Sequence, residues 1–169
     1  MKTNTFSLWH SVVGTAVLLL IEIAAFHTPS LRNAREILLL SGAIIGTIVT
    51  IYVATEVVEE VRGRSHMFTI LTVVMLQFIV FFAIEYWFLC TLQPTSFPTM
   101  PIDAVTLTLH SVMIFVFNPL YLPGTVAGRA LVLINTFGAL ALVLFVLQNI
   151  GELRRKSLDV PEGKSVSQI

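Results

Sequence analysis

Glu22, Glu85 and His110 are the residues of this chain whose types could do chemistry: two carboxyls and an imidazole, each inside an otherwise apolar stretch. Such groups hold or pass a proton, ligate a cation, or hydrogen-bond a neighbouring helix. Inside a bilayer a carboxylate is costly enough to be a functional candidate on that ground alone. Glu85 and His110 form a candidate outer polar pair. Glu22 with His27, and Glu36 with Arg32 or Arg35, suit anchors at a membrane interface. The acidic residues are otherwise too scattered to suggest paired carboxylates. Glu56, Glu59 and Glu60 precede Arg62, Arg64 and His66, yet no Glu-x-x-His pair falls on one helix face, so a solvated helix end is expected and no metal site. The single cysteine, Cys90, has no partner within the chain and no zinc or redox spacing, which leaves a packed apolar role. No Ser/His/Asp set and no Gly-rich phosphate loop occurs. The expectation is a protein that is not an enzyme and binds no cofactor.

The elements that carry these residues are membrane-length. The chain is 56% hydrophobic and only 12% charged, with a mean hydropathy of +0.87, outside the range of a soluble domain. Its ten basic and ten acidic residues cancel, which excludes a global field for nucleic acid. Spanning hydrocarbon takes roughly 20 apolar residues in a helix. Four segments qualify: Ser7 to Phe26, Ile37 to Val61, Met67 to Leu92 and Arg129 to Ile150, the last ending at Gly151. The first is too long and too poorly followed for a cleaved signal peptide, so a retained helix is expected. Lys2, Arg62, Arg64, Arg154, Arg155 and Lys156 share one face and Arg32, Arg35 and Arg129 the other, which puts both termini in the cytoplasm by the positive-inside rule. Gly42, Gly46, Thr50 and Ala54 recur every four residues, a stripe along which another helix can approach closely. Trp87, Tyr86 and Tyr121 fit an outer aromatic belt, while Asn135, Gln148 and Asn149 suit a water-facing or interhelical role.

Between the third and fourth segments lies DAVTLTLHSVMIFVFNPLYLPGTVAGR, residues 103–129. A fifth span here would reverse the charge bias and place Pro119, which lacks a backbone donor, in a lipid-facing helix. A re-entrant segment fits better. Asp103 is a good N-cap, and a helix from Ala104 to Phe117 would be roughly 20 Å long at about 1.5 Å per residue. Asn118-Pro119 ends it, and the chain returns through Leu120, Tyr121 and Leu122 to Pro123-Gly124. Irregular backbone at membrane depth must be buried in protein or line water, which implies an oligomer.

This order of elements resembles the pore module of the potassium-channel (pore-loop channel) superfamily. Asp103-Ala104 resembles the start of that family's pore helix, and Pro123-Gly124-Thr125-Val126-Ala127-Gly128-Arg129 is similar to its P-x-T-x-x-G-R lead into the inner helix, with Gly138 where the family often places a flexible glycine. The likeness covers about residues 67–153. It implies an all-α integral membrane protein of four transmembrane helices, with a pore helix and loop between the third and fourth. Residues 1–66 form a two-helix hairpin and 154–169 a flexible cytoplasmic tail. It also implies a homotetramer passing an ion without chemistry, in a plasma or bacterial inner membrane. The stretch at the filter position, Ile114, Phe115, Val116, Phe117 and Asn118, departs from the family. A potassium filter needs alternating backbone with positive φ, and no glycine occurs between His110 and Pro123. A potassium-selective ladder of carbonyls is therefore not expected. Phenylalanines could instead form a hydrophobic constriction, with Asn118 the polar side chain there. The alternatives are a non-conducting membrane scaffold or accessory subunit using the small-residue stripe, and a small membrane enzyme or carrier using Glu22, Glu85 and His110. Without a regular arginine series, voltage sensing is not expected.

Overall fold

The computed structural model describes the backbone of residues 4–28, 34–60 and 64–158, with side chains over 12–28, 34–56 and 68–150. Among them are five α-helices and no strand: α1 (Asn4–His27), α2 (Arg35–Glu60), α3 (Arg64–Leu92), α4 (Ala104–Phe115) and α5 (Val126–Leu158). A 3-10 turn, Pro94–Ser96, follows α3. Three helices are long and apolar enough to cross a membrane, over Arg35–Glu56, Phe68–Leu92 and Val126–Ile150. The apolar described part of α1, Val12–His27, is shorter, as is α4. The protein is thus all-helical and built for a membrane.

Helix α2 is the central strut, packing against α1, α3 and α5. Its small-residue stripe explains how. A Cβ at Gly42 would collide with the Glu22 carboxyl of α1, and one at Gly46 with the Phe81 ring of α3. Thr47 and Thr50 turn their hydroxyls back onto the carbonyls of Ala43 and Gly46, which satisfies them without a partner helix. Gly138 of α5 is likewise a packing position: a Cβ there would come 2.7 Å from Phe78 and 2.8 Å from Thr47. Between membrane helices such close approach supplies the van der Waals contact that lipid cannot be displaced to provide. The densest packing is aromatic, with Phe78, Phe81, Phe82 and Tyr86 buried along α3.

α5 does not stop at Gly151 as the glycine suggested; the helix continues to Leu158, 33 residues in all. Gly within a helix costs about 1 kcal/mol relative to Ala and does not by itself end one. The tail residues 159–169, the side chains of Arg154, Arg155 and Lys156, and Lys2, Arg32, Arg62, Arg64, Glu59, Glu60 and His66 lie outside the described residues or side chains.

Candidate pore loop and buried polar sites

α4 begins as the sequence predicted. Asp103 is extended (φ −125°, ψ 155°) and its carboxylate accepts the Thr106 backbone N–H at 2.9 Å and the Thr106 hydroxyl at 2.7 Å. That hydroxyl, then the backbone N–H groups, hold the Asp103 carboxyl below its ordinary range. The helix descends along α3: the Ser111 hydroxyl donates to the Ile79 carbonyl at 2.9 Å, and Phe115 meets Phe78 edge-on at 6.1 Å. Phe78 is near the middle of α3, so twelve residues carry the chain to mid-height beside it.

The helix ends at Phe115 in a paired turn. Phe117 N–H donates to the Ile114 carbonyl and Asn118 N–H to the Met113 carbonyl, both at 2.8 Å. This is the Schellman arrangement, whose αL position is taken by Phe117 at φ +62° where glycine is usual. At the five filter-position residues, Ile114 and Phe115 are buried, whereas Val116, Phe117 and Asn118 are exposed. The return strand of chain climbs to where α4 began, and Gly124 N–H donates to the Ser96 carbonyl at 2.8 Å. Thr125 then caps α5: its hydroxyl accepts the Gly128 N–H at 3.2 Å and meets the Ser96 hydroxyl at 3.0 Å. Pro123 stands over Gly128, where a Cβ would lie 3.1 Å from the proline. Arg129 is exposed just beyond.

His110 is fully buried behind this loop. The rings of Tyr86, Phe97 and Tyr121 surround it at 4.9, 5.4 and 5.6 Å, and neither ring nitrogen has a hydrogen-bond partner among the described residues. Glu85 is not hydrogen-bonded to it. Successive residues on a helix point about 100° apart, and here Tyr86 takes the α4-facing position. Tyr86 is accordingly buried, not part of a surface belt; its hydroxyl accepts from Asn135 of α5 at 3.2 Å. Trp87 does face outward.

Glu85 turns instead to α1. Its carboxyl interacts with that of Glu22, so two carboxylates that looked scattered along the chain are paired in space. α1 and α3 run parallel with α2 between them, which brings residues at similar distances from their C-terminal ends to one level. That arithmetic was the available signal. Phe26 against Phe88 at 5.8 Å and Gln77 donating to Thr15 at 2.6 Å hold the same two helices together above and below. No cluster of three or more His, Cys, Asp or Glu occurs among the described residues, and Cys90 is a buried free thiol. No protein-family model, curated protein or solved structure matches the chain.

Proposed function

We propose that this chain is a channel-like integral membrane protein of the pore-loop type, with four spans and α4 with its return loop as the re-entrant segment. The observation that carries the reading is the half-length helix α4, anchored at one end by Asp103 and Ser96 and turned back by Phe117 at the level of Phe78. Irregular backbone from Val116 to Leu122 at that height is stable in a bilayer only if it lines water or is covered by protein. In a single chain all of it but Tyr121 is exposed. A homotetramer, as the family resemblance implies, covers it and gathers four loops around one axis. Permeation is then passive, past Phe117 and Asn118 and along the outward face of α5. The αL turn at Phe117 is a helix terminator, not a ladder of carbonyls, so strict potassium selectivity is not part of the reading.

Purified protein in liposomes tests this by flux of potassium, sodium and chloride. Cation flux that changes in rate or ion preference with Phe117→Ala and with Asn118→Ala supports the pore. Flux that is present but indifferent to both substitutions removes the loop from the pathway. A non-conducting scaffold is the second reading, favoured by the apolar character of the exposed tip residues Val116, Phe117 and Leu120. Absence of any flux from reconstituted tetramers would establish it.

A further inference from the structure

The carboxyls of Glu22 and Glu85 meet between α1 and α3, and nothing in the pore reading uses them. Glu85 is fully buried. None of the four carboxyl oxygens receives a hydrogen bond from an N–H or O–H among the described residues. Gly42 is what makes room for them, since any side chain there would strike the Glu22 carboxyl. A cavity of about 20 Å³ opens beside Glu22, lined also by Ala25, Phe26, Arg35, Leu39 and Phe88. A space of that size admits one water molecule.

We propose that Glu22 and Glu85 form a proton-binding site, in which one proton bridges the two carboxyls and clasps α1 to α3. Two adjacent carboxylates cannot both stay ionised away from water without a compensating positive charge. One bridging proton removes one charge and supplies the hydrogen bond that the four oxygens lack. A metal cation fits less well. A hard cation takes about six oxygen ligands, and the carboxyls offer four; Arg35 is the other polar side chain lining the cavity beside Glu22. The Arg35 guanidinium lies 5.2 Å from the Phe26 ring centre and donates to the Thr28 carbonyl at 3.4 Å, while its buried Nε has no partner among the described residues, so no hydrogen bond joins it to either carboxyl. A hard cation would also have to shed its hydration water to enter a space that admits one water molecule, whereas that water carries a proton.

The other ionisable groups near the pair do not replace that proton. From α3 itself come Tyr86, committed to Asn135, and the Cys90 thiol. α4 contributes His110, which is enclosed by its three aromatic rings. Among the described side chains, α2 contributes Arg35 and the exposed Glu36, α1 the exposed His27 bonded to the Ile23 carbonyl, and α5 the exposed Arg129. The proton is exchanged with solvent at the end where α1 and α3 terminate, and its loss sets two negative charges against each other. The clasp then opens as pH rises, and α1 is released from α3.

Infrared spectroscopy of the full chain in lipid nanodiscs tests this directly. The proposal expects a protonated-carboxyl stretch at neutral pH that shifts in D2O, weakens as pH is raised, and is lost in Glu22→Gln/Glu85→Gln. The double variant keeps the shape of both side chains and supplies amide donors, so its thermal midpoint should be flat over the pH range in which the wild-type midpoint falls. No such band in the wild type at neutral pH overturns the proposal, and this arm needs no variant to fold. An equal pH dependence in the double variant overturns it as well. Displacement of the band by sodium at fixed pH, with choline inert, would overturn the proton in favour of a metal ion. None of these readouts depends on whether the protein conducts, so failure of the pore reading leaves them intact.

Discussion

Phe117 carries a backbone conformation that a glycine ordinarily supplies. At φ +62° its Cβ crowds the following carbonyl, a strain of about 1–2 kcal/mol for a non-glycine residue. Phe117→Gly should therefore stabilise the protein by about 1 kcal/mol, read as a raised thermal midpoint in detergent. A lowered midpoint would mean that the phenyl ring makes contacts in the assembly worth more than the strain. Strain held at a loop tip is a frequent mark of a working residue, which is why the same variant belongs in the flux measurement. At the other end of α4, Asp103 is a cap with a definite pH signature. Its folded-state carboxyl is held below the ordinary value of 3.8, by the Thr106 hydroxyl first, so it contributes stability above that value and loses it as pH falls through the folded one. Asp103→Ala should lower the midpoint at neutral pH, and the gap to wild type should close in acid. A gap that persists unchanged in strong acid would show that the carboxylate charge is not what stabilises the cap.

Among the elements, α2 is the one that packs against three other long helices, and Gly46 is where it has no room to spare. A β-branched side chain there drives into the Phe81 ring, so Gly46→Val should destabilise by about 1–3 kcal/mol, the usual range for an overpacked core. Ile45→Val, one residue away on the exposed face, should leave the midpoint nearly unchanged. Equal effects of the two would show that the stripe is not the packing seam. Much of this level was legible in the sequence. Apart from the far end of α5, the long helices begin and end within a few residues of their apolar runs, because length and hydropathy are local properties. The stripe from Gly42 to Ala54 is buried throughout, and the Asp103 cap forms as its residue type dictates. What was not legible depends on rotation about helix axes. Tyr86 and Glu85 are neighbours in sequence, yet one faces α4 and the other α1, and no local pattern in an apolar-all-round helix says which. The Glu22–Glu85 contact follows from that rotation. The αL turn at Phe117 was invisible because glycine is the residue that advertises it.

For the molecule as a whole, the decisive question is what covers the loop tip. Phe117 is 50% exposed and Leu122 79%, and Leu133 and Phe137 of α5 are exposed as well. Apolar side chains so placed are content in lipid, but the backbone of residues 116–122 is not, since its carbonyls lack helix partners. Copies related by a closed rotation would bring the same surface of each chain toward one axis. The far side of the molecule differs: Leu20 of α1 is 62% exposed on a regular helix whose backbone is satisfied internally, and lipid alone suffices there. Single cysteines discriminate between these sides. In a Cys90→Ala background, which removes the buried native thiol, oxidation of Phe117→Cys should yield disulfide-linked pairs of chains in the membrane. Leu20→Cys should yield few. A central axis at the loop makes the first pair near neighbours in every assembly and keeps the second apart by the width of the bundle. If Leu20→Cys cross-links and Phe117→Cys does not, chains associate through α1, the loops face outward, and the pore arrangement fails. Cross-linking at Phe117 combined with a mass of four chains in nanodiscs would fix both the axis and its order.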